Sequence, residues 1–173
     1  MNWEFEVLNQ IQTWHNPVLD WIMVKVSALG NASWFWIVLG VCLLLFWKKN
    51  RKIGFTVLLS LVIDALITNI WLKNWIMRDR PCWVNSEVLL LVDNPADYSF
   101  PSGHSAASFA AATALFCYNK KLGICAYILA FMIAFSRLYL YVHFPTDVGV
   151  GAVIGIVCGI FGFILAKRIQ IFS

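Results

Sequence analysis

The chain has 173 residues, of which 61% are hydrophobic, 16% aromatic and only 13% charged, against roughly 25% charged in an average soluble domain. That balance excludes an ordinary soluble globule and points to an all-α, polytopic membrane protein. The formal net charge of +4 is gathered at segment ends instead of spread over one soluble face, so nucleic acid is not an expected partner.

At the start, Met-Asn-Trp-Glu-Phe-Glu is acidic where a secretory signal would be basic, and no small-residue cleavage site follows a short apolar run, so no processing is expected. Residues 2 to 15 mix Trp3, Phe5, Val7, Leu8, Ile11 and Trp14 with polar positions. They read either as an amphipathic helix lying at the membrane interface or as an extension of the first span. His15 has no chemical companions and reads as structural.

Spanning a bilayer takes about 20 mostly apolar residues. Residues 32 to 47, 53 to 72, 104 to 118, 122 to 140 and 148 to 166 qualify. Residues 17 to 30 are a shorter candidate carrying Asp20 and Lys25, and with them the expected count is six transmembrane helices. Lys48, Lys49, Arg51 and Lys52, then Lys120 and Lys121, then Lys167 and Arg168 follow the even-numbered spans. The positive-inside rule makes their side cytoplasmic, with both termini inside and the third-to-fourth and fifth-to-sixth connections outside, in a cell (inner) membrane. Asp64 falls deep in the third span, where pairing with Lys25 is the simplest expectation. Gly151, Gly155 and Gly159 in the last span allow close helix approach. Cys42, Cys82, Cys117, Cys125 and Cys158 lie mostly in apolar runs, with no CxxC pair or metal-ligand spacing, and read as packing residues.

Three groups on the predicted outer side carry chemistry. "KNWIMRDRP" supplies Lys73, Arg78 and Arg80; it reads as a snorkelling basic cap, or, because such caps belong on the other side, as an anion site. "SFPSGHSAAS" opens the fourth span, with Ser102 and Gly103 at a helix start whose free N–H groups suit an anion, and His104 in the first turn. "SRLYLYVHFPTD" sets Arg137 at the end of the fifth span, His143 in the connection and Asp147 in the first turn of the sixth. A carboxylate four residues beyond an imidazole can accept its Nδ1 proton and leave Nε2 free as a nucleophile, or can simply favour the helix dipole. Together, Lys73, Arg80 and Arg137 can neutralise a phosphoryl group, Ser102 and Gly103 cradle its oxygens, His143 attack phosphorus and His104 protonate the leaving oxygen, with no metal or other cofactor. The long outer stretch from Cys82 to Ser99 could dip into the interface and shape a headgroup pocket.

Lys73 to Pro81, Pro101 to His104 and Ser136 to Asp147 resemble the three-part signature of the type 2 phosphatidic acid phosphatases, and none departs from it. The motifs cover residues 73 to 147, and the six-span plan extends the likeness over a single domain, 1–173. The resemblance implies a metal-independent integral-membrane lipid phosphatase with a phosphohistidine on His143, oriented by Asp147, with His104 as acid and Lys73, Arg80, Ser102, Gly103 and Arg137 binding phosphate. The expected partners are a lipid phosphate substrate and membrane lipids; undecaprenyl pyrophosphate is the first choice, ahead of phosphatidylglycerophosphate and phosphatidic acid. Two other readings are a haloperoxidase-like pocket holding vanadate, which six spans oppose, and a non-catalytic binder of anionic lipids, which the presence of both histidines opposes. The substrate and the oligomeric state are not fixed by sequence.

Overall fold

A computed structural model describes residues 3–169, and every regular element among them is helical. α1 (Trp3–Gln12) and α2 (Pro17–Leu29) lead into α3 (Trp34–Leu45). Then α4 (Arg51–Ala65) passes through a π-helical stretch, Leu66–Leu72, into α5 (Lys73–Ile76). After the short α6 (Pro81–Val84) come the long α7 (Gly103–Tyr118), α8 (Lys120–Tyr139) and α9 (Pro145–Ile169).

Helix boundaries follow local chemistry. Asn16 caps α2, its side chain accepting from the Leu19 N–H, with Pro17 at the first helical position. Asn119 ends α7 and caps α8 through the N–H groups of Lys121 and Leu122. α7 is the hub of the bundle, packed on α4, α8 and α9, and it is buried from Ser105 to Leu115. Its alanines and serines let α9 come close through the expected glycine stripe. A Cβ on Gly151 would fall 2.6 Å from the Ser102 carbonyl oxygen, and one on Gly155 would strike the Ala106 carbonyl. Gly155→Val therefore forces two backbones apart. It is expected to cost about 1–3 kcal/mol or more, read as a lower unfolding temperature in detergent.

Three helical stretches are long and apolar enough to cross a membrane, residues 48–84, 120–139 and 145–169, and a fourth arises if α2 and α3 act together across a 51° bend. The sequence predicts six separate spans; three to four candidates meet the length and apolarity of a span. α2 has 13 residues, about 20 Å of helix, short of a hydrocarbon core of about 30 Å, and the bend at Gly30–Ser33 carries the chain onward instead of back. Hydropathy alone cannot separate such a half-length helix from a span. α7, with 16 residues, is shielded by its neighbours.

The three basic clusters do share one end. Tyr118 bonds Thr56 and packs edge-on against Phe163, while Lys167 lies over the same Phe163 ring. The connections 77–102 and 140–144 meet at the other end, where Arg78 donates to Thr146. α1 packs there too, through Leu8 and Ile11 against Tyr139, Leu140 and Phe144. The described chain therefore begins at the end opposite the basic clusters and finishes beside them. That places α1 at the site end, whereas the sequence predicts both termini at the basic end; residues 17–47 form two short helical segments joined by a 51° bend. Asp64 accepts from Thr68 one turn on, while Lys25 is exposed; the expected Asp64–Lys25 pair is not formed.

Candidate active site

The site is assembled at the end of the bundle away from the basic clusters. The π-helical stretch shifts the register of its helix and delivers Lys73 to the interior, where it is only 7% exposed. Met77, with φ 48°, then breaks the helix, and the chain turns so that Arg78 and Arg80 face the connection between α8 and α9. That connection is itself held out of the ordinary backbone regions: Tyr141 has φ 58°, a left-handed conformation that costs a non-glycine residue of order 1–2 kcal/mol. Its side chain is buried and its hydroxyl donates to Asn9 Oδ1 at 2.9 Å, which holds the turn in place.

His143 sits in this connection, 1% exposed. Its Nε2 lies 3.1 Å from Arg80 Nη1. A guanidinium can only donate, so Nε2 is the acceptor and the ring proton is on Nδ1. Nδ1 faces Ser99 Oγ at 3.3 Å, and the Ser99 hydroxyl donates to Asp147 Oδ2 at 2.5 Å. The direct separation of Nδ1 and Asp147 Oδ2 is 3.7 Å, too long for a hydrogen bond. The expected direct bond is thus replaced by a relay from imidazole to serine to carboxylate. Asp147, wholly buried, also accepts from the Phe144 N–H at 2.8 Å and from Arg78 Nη1 at 2.6 Å. Burial, together with the positive charges of Arg80, Arg137 and Lys73, pushes the imidazole of His143 well below the usual histidine range. That favours the neutral ring, whose Nε2 lone pair accepts from Arg80.

His143, His104, Lys73, Arg80 and Arg137 line one cavity of about 520 Å³, together with residues 91–95 and Asp97 of the long connection and part of α2. His104, in the first turn of α7, holds Asn31 at 2.9 Å through Nε2. Arg137 donates to Ser27 Oγ at 2.5 Å, while its buried Nε has no partner. An unpaired charged donor in a polar cavity is costly unless an anion completes it. Gly103 stands where a Cβ would fall 2.7 Å from Asn69 Oδ1. Ser102 is wholly buried; its N–H donates to the Asp147 carbonyl at 3.0 Å, and its hydroxyl accepts from the Ser105 hydroxyl at 3.1 Å. In this arrangement Ser102 ties the start of α7 to the start of α9. His15 stacks on Tyr139 at 4.3 Å, apart from the cavity.

Three participants escaped the sequence reading: Ser99, Asp97 and the bond from Arg78 to Asp147. Asp97 is the most telling. Its carboxylate bonds Lys73 and Arg80 Nη2, the latter at 2.7 Å, so it spans two of the three cations that an anionic ligand would need. Burial works against its charge, yet Lys73 and Arg80 hold the carboxyl down to about 2, and it stays anionic at any working pH. A ligand phosphoryl group must displace it or share its partners. Asp97→Asn is expected to tighten inhibition by inorganic phosphate or vanadate by about tenfold, on the scale of one charge-assisted hydrogen bond, measured as Ki. A Ki that is unchanged or weaker would mean that Asp97 does not compete for the anion.

Residues 52–170 match the family described as PAP2 superfamily. The chain is 36% identical over 149 residues to an undecaprenyl-diphosphatase of Sulfolobus acidocaldarius, covering 85% of this chain and 68% of that one. It is 31% identical over 167 residues to undecaprenyl-diphosphatase BcrC of Bacillus subtilis, covering 94% and 83%. Its structure is similar to that of a transmembrane PAP2 type phosphatidylglycerolphosphate phosphatase from Bacillus subtilis, with a TM-score of 0.78 at 27% identity, over 98% of this chain and 87% of that one.

Proposed function

Because the chain belongs to the PAP2 superfamily, we propose that it is a metal-independent lipid pyrophosphate phosphatase that works through a phosphohistidine on His143. The observation that carries this reading is the convergence of a neutral, buried imidazole, a second histidine and three cations on one cavity.

In the first half-reaction the Nε2 lone pair of His143 attacks phosphorus. The N–P bond forms as the bond to the leaving oxygen breaks, and His104 gives that oxygen a proton. Lys73, Arg80 and Arg137 balance the charge spread over the equatorial oxygens, the task a metal performs elsewhere. As the imidazole gains positive charge, its Nδ1 proton leans on Ser99 and, through it, on Asp147. In the second half-reaction water attacks the same phosphorus, His104 takes the water's proton, the N–P bond breaks and inorganic phosphate leaves. Ser102 and Gly103 serve here chiefly by fixing the start of α7, so that His104 stays on the cavity wall.

The two undecaprenyl-diphosphatase relatives favour undecaprenyl pyrophosphate as substrate. The likeness to a phosphatidylglycerolphosphate phosphatase keeps that lipid as the second choice, with phosphatidic acid behind it. The basic clusters at the far end support a cytoplasmic side there and a site at the extracytoplasmic face of the cell membrane. That orientation puts α1 on the extracytoplasmic side. Phosphate release by purified protein in detergent, with EDTA present, tests the reading across the three lipids. Release is expected to be fastest from undecaprenyl pyrophosphate. A strict need for a divalent metal would refute the mechanism, and a preference for another lipid would refute the substrate.

A further inference from the structure

α1 is more than packing for the end of the bundle. Along it, Glu4, Asn9 and Gln12 each hold a different point of the connection that carries His143. Gln12 donates to the Tyr139 carbonyl at 3.0 Å, and Asn9 accepts from the Tyr141 hydroxyl. Glu4 Oε1 accepts from the Thr146 hydroxyl at 2.6 Å and its N–H at 3.3 Å. Phe5 meets the Phe144 ring edge-on at 5.2 Å. Glu4 shares its buried face with Leu8 and Ile11, a place where a carboxylate is costly unless it is paired. Its second oxygen is paired, with Arg78 Nη2 at 2.5 Å.

Arg78 forks. One nitrogen takes Glu4; the other donates to Asp147 Oδ1 at 2.6 Å and to Thr146 Oγ1 at 2.7 Å, while the guanidinium lies 4.1 Å from the centre of the Phe144 ring. Asp147 is wholly buried, and a buried carboxylate requires a countercharge. His143 is neutral, and Lys73, Arg80 and Arg137 line the cavity on the other side of the imidazole. Arg78 supplies the charge from behind, and Glu4 fixes which way it points. We infer that Glu4 and Arg78 are positioning residues for the phosphotransfer, so that α1 belongs to the catalytic apparatus. This inference rests on His143 being the nucleophile aimed through Ser99 and Asp147. It extends the apparatus to Arg78, a position within the first motif that was given no role in the phosphotransfer, and to Glu4, near the start of the chain and outside all three motifs.

The chemistry sets different signatures for the two residues. Glu4→Gln puts an amide in place of the carboxylate; whichever amide atom faces Arg78, either that contact or the pair of bonds from Thr146 is spoiled. Arg78→Ala removes the countercharge outright. Arg78→Lys keeps the charge but not the fork.

The test uses the full chain in detergent and compares kcat, KM for the lipid, vanadate Ki and the pH dependence of kcat/KM. Glu4→Gln and Arg78→Ala are expected to lower kcat by about 10–100-fold, the scale seen for residues that orient a reacting group. KM and vanadate Ki should stay within about twofold, since an effect on geometry alone spares ground-state binding. The groups facing His143 are Arg80, Arg137, Lys73, Asp97 and His104 on the cavity side and Ser99 and Asp147 behind. In Arg78→Ala the negative charge of Asp147 goes unopposed and favours the imidazolium. The acid limb of kcat/KM then moves to higher pH, and Arg78→Lys returns it without restoring kcat. A kcat in Glu4→Gln equal to wild type overturns the inference, as does a loss of turnover matched by an equal loss of vanadate affinity, which would mark a general loss of fold. A His143→Ala control that keeps its activity refutes the functional reading itself, and this inference with it.

Discussion

Replacement of His143 by alanine is expected to reduce phosphate release by about 10⁴-fold or more, the scale of removing a nucleophile that forms a covalent intermediate. The imidazole is buried and aimed, with Nε2 held 3.1 Å from Arg80, while the second imidazole on the cavity wall, His104, has its Nε2 engaged with Asn31 at 2.9 Å. Binding is a separate matter. The cations that would hold the phosphoryl group, Lys73, Arg80 and Arg137, do not depend on the ring for their charge, so vanadate Ki in His143→Ala should stay within a few-fold of wild type. Equilibrium inhibition and turnover, measured on the same preparation, check both halves. Residual turnover near that of wild type would exclude His143 as the attacking group.

Arg80→Ala is expected to fail in the opposite pattern, losing anion affinity and turnover together. Arg80 is 2% exposed, and its guanidinium donates to the Val142 carbonyl at 2.6 Å, the Asp97 carbonyl at 2.7 Å and the Asp97 carboxylate at 2.7 Å. It therefore joins the long connection to the His143 connection while presenting charge to the cavity. The expected loss in kcat/KM is about 10²–10³-fold, the scale for one preorganised donor to a developing oxyanion, with vanadate Ki raised. Arg80→Lys should recover little, because a lysine cannot serve several acceptors from one planar fork. A lower unfolding temperature should accompany the loss, since the abandoned acceptors are buried. Retention of vanadate affinity in Arg80→Ala would remove this residue from the anion site.

Sequence reading reached the cavity because residue type and distance from a helix end carry much of the information. Lys73 and Arg80, His104, Arg137 and His143 each fall near the boundary of an apolar run, and two connections on one predicted side had to bring them together. What escaped depends on contacts between segments far apart in sequence. Ser99 reaches His143 and Asp147 from another connection, and nothing in its neighbours' periodicity announces that. Asp97 became visible as a rival for the anion only when its distances to Lys73 and Arg80 were known. For Glu4 a signal was present: at positions 4, 8 and 11 a carboxylate shares one helical face with Leu8 and Ile11, and a charge in an apolar stripe implies a partner. The span count is least legible at residues 17 to 47, where apolar content is high throughout but the short α2 bends by 51° into α3.

The chemistry proposed for His143 is tested most directly by trapping the intermediate. The full chain is mixed with undecaprenyl pyrophosphate in the presence of EDTA and quenched in base within the first turnovers. Peptide mass spectrometry is then used to locate the phosphoryl group. A phosphoryl group on His143, stable to base and lost in acid, is expected in the wild type and absent from His143→Ala. Rapid phosphate release in the first turnovers with no covalent phosphoenzyme, or a phosphoryl group on any other side chain, would contradict the mechanism.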